Sequence, residues 1–222
     1  MPPSTRSSTW LATPSRVVRL FAGLSLFGAG EACLVAADLG NSPWTVLAQG
    51  VALNTPLGIG AATIALSFVV LLLWIPLRQT PGLGTIANTV WVGSAIGVVL
   101  TVLPDDPALG SRWMLMAGGI ALVAFGSGFY LTAALGPGPR DGLMTGLHRR
   151  TGLSLRLARA VIEISVLSVG FILGGTVGIG TLAFALAIGP GVQLAVGRLA
   201  TPEWQLLNQN LDTTEASPAI GR

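Results

Sequence analysis

The residues of this sequence that could carry chemistry are a few charged side chains inside apolar segments. Glu163 lies near the middle of the apolar segment 155–174, and Arg159 precedes it by one helical turn. Glu31 lies inside another apolar segment, 17–37. A charge at the centre of a bilayer costs about 2.5–3.5 kcal/mol on insertion scales, and such residues usually face a cavity or the bundle interior. We therefore treat Glu163, Glu31 and Arg159 as a candidate substrate or proton site.

Each of these residues also has a structural interpretation. Arg159 and Glu163 are four residues apart, so they can form an ion pair on one face of a helix. A neutral, protonated Glu31 could instead be hydrogen-bonded to a neighbouring helix. We favour the functional interpretation for Glu163, and both interpretations stay open for Glu31.

Two Gly- and Pro-rich breaks supply a second group of candidates. The first reads LGNSPW at 39–44 and the second LGPGPRDGLM at 135–144. Gly and Pro end the preceding helix, and a residue such as Ser42 before a proline predicts the N-cap and first turn of a new helix. The candidate helix-break or gate residues are Asn41, Ser42, Pro43, Pro139, Arg140 and Asp141.

Arg140 and Asp141 can be interpreted in two ways. A helix N-terminus beside an arginine attracts anions, which favours a gate or an anion site. A local Arg–Asp pair that fixes the loop is the simpler interpretation, and we prefer it. A third irregularity is Pro190, between two glycines in the segment 178–199, which predicts a kink.

Other kinds of site are not indicated. The sequence has one cysteine, Cys33, and one histidine, His148. No Cys cluster is available, and a His-based metal site or a Ser-His-Asp triad would depend on one residue. The sequence also contains no Walker A motif. We therefore predict no catalytic residue, no metal, no cofactor and no enzymatic activity.

Composition indicates a membrane protein. The 222 residues are 51% hydrophobic and only 9% charged, with a mean hydropathy of +0.73, whereas soluble domains carry about 25% charged residues. All twelve basic residues are arginines. They lie at the edges of apolar segments, so we predict a lipid bilayer as the partner rather than nucleic acid.

Six apolar segments approach the ~20 residues that span a bilayer, and they lie at 17–37, 58–77, 82–103, 113–135, 155–174 and 178–199. A polar leader (1–15) and a polar tail (201–222), both expected to be disordered and cytoplasmic, flank them. If the N-terminus lies inside, Arg112 is the one arginine outside. Eleven arginines then lie inside, namely Arg6, Arg16, Arg19, Arg78, Arg140, Arg149, Arg150, Arg156, Arg159, Arg198 and Arg222. The positive-inside rule therefore places both termini in the cytoplasm.

The two halves align without a gap at an offset of 96, since 136 − 40 = 96 for Gly40 and Gly136. Further matches at this offset are Pro43 with Pro139, Gly50 with Gly146, Thr55 with Thr151, and Gly82 with Gly178. This predicts two three-span repeats, 16–111 and 112–200, each containing a helix break and a short helix that is re-entrant or interfacial. Since three is odd, the second repeat must be inverted, an arrangement that recurs in secondary transporters.

The two break motifs, together with the Gly-Ile-Gly-Thr turn at 178–181, resemble the YczE/YitT group of bacterial integral membrane proteins. The resemblance covers almost the whole chain apart from the two tails. It implies an all-α protein of the bacterial inner membrane with several spans. It implies no settled biochemical activity.

The sequence therefore predicts a secondary transporter or permease of an unidentified small molecule. The alternative is a non-transporting membrane scaffold or accessory factor for another membrane or biosynthetic system. A membrane-embedded enzyme acting on a lipid-linked substrate ranks last. Small-residue spacings at Gly93 and Gly97, and at Gly170 and Gly174, permit close helix contact and predict a homo-oligomer.

Overall fold

The described part of the chain is helical. The computed structural model describes Trp10, residues 12–200 and Trp204. Within these residues there is no strand, and the eight helices are α1 (Pro14–Ala37), α2 (Pro43–Leu53), α3 (Ile59–Leu77), α4 (Leu83–Leu100), α5 (Leu109–Thr132), α6 (Pro139–Thr151), α7 (Leu155–Ile172) and α8 (Ile179–Leu199). The predicted all-α class is confirmed.

Five of these helices, α1, α3, α4, α5 and α8, are long and apolar enough to cross a membrane. The predicted fifth span, α7, has 18 residues and carries three charges, at Arg156, Arg159 and Glu163, so it is not among the five. The short helices α2 and α6, predicted from the two breaks, have 11 and 13 residues. Both are too short to span.

The predicted boundaries need two adjustments. Helix α1 begins at Pro14, inside the predicted leader 1–15, because proline is well suited to the first turn of a helix. Helix α5 begins at Leu109, so a repeat boundary at 111/112 would cut its first turn. The rest of the leader and nearly all of the tail 201–222 lie outside the described residues.

Helices α1 and α5 form the centre of the bundle through facing glycines. A Cβ atom on Gly30 would lie 2.6 Å from the Gly119 carbonyl oxygen, and one on Gly126 would lie 2.7 Å from the Gly23 carbonyl oxygen. Since these are backbone atoms, only glycine lets the two helices come this close. Large apolar side chains such as Leu34 fill the core around them.

The two breaks dock on the starts of α4 and α8. The Gly84 amide donates to the Leu135 carbonyl oxygen at 2.7 Å, and the Gly180 amide donates to the Leu39 carbonyl oxygen at 2.7 Å. Each break turns through a glycine in the left-handed region, with φ of 110° at Gly40 and 114° at 136. Residues 39–41 and 135–138 are therefore anchored to transmembrane helices, and they hold the starts of α2 and α6 in place.

The small-residue faces are used inside this chain. A Cβ on Gly93 would lie 2.5 Å from the Gly60 carbonyl oxygen, and one on Gly170 would lie 2.5 Å from the Leu47 amide nitrogen. Gly93 thus brings α4 against α3, and Gly170 brings α7 against α2. Gly93 and Gly170 therefore give no support to the predicted homo-oligomer, since helices of the same chain cover them.

Arginines near the start of α1 contact the ends of α5 and α8. The Arg16 guanidinium donates to the Ala133 carbonyl oxygen at 2.8 Å and the Ala134 carbonyl oxygen at 2.6 Å. Arg19 donates to the Leu199 carbonyl oxygen at 2.7 Å. The last carbonyl groups of a helix have no partner within it, and its C-terminus favours positive charge. These arginines therefore cap α5 and α8.

We expect Arg16→Gln to destabilise the protein by about 1.5–3 kcal/mol, because it removes charged donors from two carbonyl groups. The matched control is Arg78→Gln. The Arg78 side chain is exposed and donates no hydrogen bond within residues 12–200, so the control makes the same charge change without losing a side-chain contact. Both variants are compared by their unfolding midpoints in one detergent. Equal midpoints would show that the Arg16 contacts contribute nothing.

Candidate functional site

Glu31 forms a buried polar cluster with the start of α2. Its side chain on α1 is 2% exposed. The Ser42 hydroxyl donates to both of its carboxylate oxygens, at 3.1 and 2.8 Å, and the Thr45 hydroxyl donates at 2.7 Å. The partner helix of Glu31 is therefore α2, and its carboxylate accepts all three of these contacts. These bonds compensate part of the cost of burying a charge.

Ser42 differs from its expected role as a capping side chain. It occupies the N-cap position of α2, and Pro43 begins the helix as predicted, but the Ser42 side chain makes no cap hydrogen bond. Its hydroxyl instead donates to Glu31, and hydrogen bonds to a charged acceptor are the stronger kind. The break thus serves to bring hydroxyl groups to Glu31.

Arg140 and Asp141 lie in the first turn of α6, where Pro139 is the first residue. The Arg140 guanidinium is 3.9 Å from the Asp141 carboxylate, at the outer limit of an ion pair, and lies 4.9 Å from the centre of the Phe27 ring. The Tyr130 hydroxyl from α5 donates to the other Asp141 oxygen. The preferred Arg140–Asp141 pair is thus a loose one, and Asp141 is held mainly by Tyr130.

Both breaks border one cavity, which we call the central cavity. Its volume is about 70 Å³, and it lies between helices α1 to α6. The side chains that line it include Phe27, Glu31, Trp44, Asn88, Tyr130 and Arg140. A cavity needs about 10–15 Å³ on this measure to hold one water molecule, so the central cavity has room for a small solute.

Glu163 lies elsewhere. It forms the ion pair with Arg159 that the structural interpretation described, with 2.9 Å between Arg159 Nε and Glu163 Oε1. The pair lines a second cavity of about 220 Å³ together with Gln193. Glu163 does not line the central cavity. The three predicted residues are thus divided, with Glu31 in one cavity and the Arg159–Glu163 pair in the other.

Three residues line both cavities. They are Tyr130, Arg140 and Asp141, and they therefore lie between the central and second cavities. We call these three residues the partition. Its Tyr130–Asp141 hydrogen bond joins α5 to α6.

Asn41 and Pro190, two further candidates, do not line the central cavity. The Asn41 amide donates to Gln49 at 2.8 Å, and its backbone amide donates to the Thr176 carbonyl oxygen at 3.2 Å. Asn41 therefore ties α2 to the loop before α8. Pro190 lies inside α8, next to a residue that lines the second cavity. Among the described residues, no group of three or more His, Cys, Asp or Glu side chains could hold a metal ion.

Several site residues were not found in the sequence. Thr45, Trp44 and Phe27 are ordinary residues of membrane helices, and only the structure shows that they line the central cavity. Tyr130 had a usable signal. It is the one tyrosine of the chain and comes shortly before the second break.

Comparison with known proteins gives a family without an assigned activity. The family model described as "Family of unknown function (DUF6198)" matches residues 14–196. An "Uncharacterized protein" of Haemophilus influenzae is 42% identical over 194 residues, covering 87% of this chain and 89% of its own. The "Uncharacterized membrane protein YczE" of Bacillus subtilis is 28% identical over 207 residues, covering 90% and 94%. No solved structure matches the chain significantly.

Proposed function

This chain belongs to the DUF6198 family of YczE-type membrane proteins, and on that premise we propose that it is a secondary permease which carries a small molecule through the central cavity. The observation that carries the proposal is the central cavity itself, because residues from both helix breaks and the buried Glu31 converge there. Substrate sites of many secondary transporters lie near the bilayer midplane, where the starts of broken helices meet. The proposal includes no reaction on the substrate, so the chain acts without a cofactor and not as an enzyme.

The proposed architecture is a pair of inverted three-span repeats. It is supported by helix positions, since α1 to α4 begin at 14, 43, 59 and 83 and α5 to α8 begin at 109, 139, 155 and 179, close to an offset of 96. It is also supported by the two break contacts. Adding 96 to Gly84 gives Gly180, and subtracting 96 from Leu135 gives Leu39. The hydrogen bond from Gly84 to Leu135 in one half therefore corresponds to the bond from Gly180 to Leu39 in the other, and both measure 2.7 Å.

Helix α7 is the proposed sixth span despite its charges. The Arg159–Glu163 ion pair lowers the cost of carrying charge into the membrane. Several of its apolar side chains are exposed on the protein surface, including Ile164, Phe171 and Ile172. Lipid is the environment that suits such a surface.

The proposed location is the bacterial inner membrane, with both termini in the cytoplasm. The arginine distribution supports this orientation. The Arg16 and Arg19 contacts add support, since they place the start of α1 on the same side as the ends of α5 and α8. In this orientation the second cavity lies toward the cytoplasm, because it is lined by the later parts of α5 and α8.

The partition is the proposed gate. With the Tyr130–Asp141 bond in place, the central cavity is separated from the cytoplasmic second cavity. Rocking of one repeat against the other would break that bond and open the partition, while the opposite end of the central cavity closes. Glu163 and Arg159 then line the route between the central cavity and the cytoplasm, and this gives Glu163 a proposed part in transport.

The proposal is tested by access to the central cavity from each side. Ser67 of α3 lines that cavity. In a Cys33→Ser parent, Ser67→Cys is treated with a small membrane-impermeant thiol reagent, applied to one side of sealed, oriented vesicles at a time. A permease is expected to react from both sides.

The control is Leu72→Cys on the same helix, where the native side chain is 63% exposed on the apolar surface. Facing lipid, it should react from neither side. Reaction at position 67 from one side only, or from neither, would contradict the permease and favour the scaffold alternative.

A further inference from the structure

We propose, resting on the permease function above, that the substrate is a small carboxylate whose charged group lies in the central cavity between Arg140 and Trp44. The same chemistry is offered by other small planar oxyanions. The inference comes from an imbalance between free donors and free acceptors around the central cavity.

The indole N–H of Trp44 is the first free donor. This nitrogen is buried and has no hydrogen-bond partner among the described residues, although the side chain lines the central cavity. A buried donor without a partner is costly, and in native structures it requires an explanation. An acceptor atom of a bound ligand would satisfy it.

The Arg140 guanidinium is the second free donor. It has five N–H groups in a planar fork that matches a carboxylate, and none of them donates a hydrogen bond to residues 12–200. Its contact with Asp141 is 3.9 Å long. The Phe27 ring holds the guanidinium from one face, which leaves its edge available.

The carboxylates around the central cavity are already in use. Glu31 accepts bonds from Ser42 and Thr45, and Asp141 accepts one from Tyr130. The side-chain amide of Asn88, which also lines the cavity, makes no hydrogen bond within the described chain and offers both donors and an acceptor. The unpaired groups that can only donate are the Trp44 N–H and the Arg140 guanidinium, so the arrangement favours an anion.

Charge balance indicates that a proton binds together with the anionic substrate. The ionisable groups that face the Glu31 side of the central cavity are Tyr130, Arg140 and Asp141. With Glu31 and Asp141 ionised and Arg140 positively charged, the groups around the cavity sum to one net negative charge. An anionic substrate would then be repelled strongly in a medium of low dielectric constant. Uptake of a proton by Glu31 removes that repulsion. The Ser42 and Thr45 hydroxyls can rotate to accept from the protonated form.

The test is binding to the purified full-length protein in lipid nanodiscs, measured by thermal stabilisation. The probes are sodium acetate, formate and nitrate, compared with methylammonium and choline chloride at matched ionic strength. Acetate or formate should stabilise the protein in a saturable manner, and the two cations should not. Stabilisation by a cation and by no oxyanion would overturn the proposal.

Two variants locate the site. Arg140→Lys is expected to weaken oxyanion binding at least about tenfold, because a charged bidentate donor is lost. Trp44→Phe keeps an aromatic ring, removes only the N–H and should weaken binding about three- to tenfold. Arg112→Lys is the matched control, since Arg112 lies in a surface ion pair and does not line the cavity, and this variant should bind normally. Unchanged binding in a folded Trp44→Phe protein would refute this placement, even if Arg140→Lys fails to fold.

The proton is tested by pH. Since binding takes up a proton, oxyanion affinity should rise as the pH is lowered, by up to about tenfold for each pH unit. Glu31→Gln should bind with an affinity that no longer depends on pH. If the variant keeps the same pH dependence, Glu31 is not the proton carrier.

The outcomes distinguish this inference from the permease itself. Two-sided labelling at Ser67 without oxyanion binding would leave the permease standing and remove the substrate class. Oxyanion binding with one-sided labelling would keep the binding site and contradict transport.

Discussion

Replacing Gly119 with valine is expected to destabilise the folded bundle by about 3 kcal/mol or more, at the upper end of the cost of overpacking. A Cβ at this position would lie 2.8 Å from the Gly30 carbonyl oxygen. Because that oxygen belongs to the backbone of α1, no side-chain rotation can relieve the clash. The α1–α5 contact carries the centre of the protein, so the whole bundle must adjust.

The adjacent residue provides the control for this prediction. A Cβ on Gly118 would meet nothing within 4 Å. Gly118→Val therefore adds the same side chain to the same helix without a clash. Both variants are compared by the yield of monodisperse protein and by the midpoint of thermal unfolding in one detergent. If Gly119→Val unfolds at the same temperature as Gly118→Val, the close α1–α5 contact is wrong.

Replacing Tyr130 with phenylalanine is expected to open the partition. The change removes the hydroxyl that donates to Asp141 and keeps the ring, which packs edge-on against Phe27 with 6.4 Å between the ring centres. A hydrogen bond to a charged group contributes about 1.5–3 kcal/mol, so the open form should gain about tenfold or more in population. The readout is the labelling rate of Ser67→Cys from the cytoplasmic side, which should rise by about the same factor.

The control for Tyr130→Phe is the rate from the opposite side, which should not rise. The unfolding midpoint of the variant is measured as well, to show that the bundle remains intact. A cytoplasmic rate that stays the same or falls would mean that the Tyr130–Asp141 bond does not close the route.

The sequence was sufficient to predict those features that depend on neighbours along the chain. Apolar segments of nearly 20 residues predicted most of the long helices, and the Gly–Pro breaks predicted α2 and α6 with Pro43 and Pro139 in the first turn. Burial of Glu31 agreed with its position inside an apolar segment. The number of spans was harder to predict, since the charges of α7 weigh against its apolar length.

Contacts between distant segments could not be predicted in the same way. Ser42 looked like a helix cap, but the nearest strong acceptor is Glu31 on another helix. The interpretation of Gly170 as an oligomer contact was equally open from sequence, and the structure places α2 against it. Glu163 was singled out for its charge, yet Glu31 is the glutamate that lines the central cavity with residues of both breaks. Only the packed bundle decides which cavity a helix face borders.

Transport through the central cavity depends most on the inverted arrangement of the two halves, since this arrangement lets one cavity face both sides of a membrane. Thr55 and Thr151 are its matched probes, because both are exposed and their hydroxyls donate to the carbonyl oxygens four residues earlier, at 2.9 and 2.7 Å. Each is replaced by cysteine in the Cys33→Ser parent and treated with an impermeant thiol reagent in intact and in permeabilised cells. If the repeats are inverted, Thr55→Cys reacts in intact cells and Thr151→Cys reacts only after permeabilisation. Reaction of both positions from the same side would contradict the inverted repeat, and the permease with it.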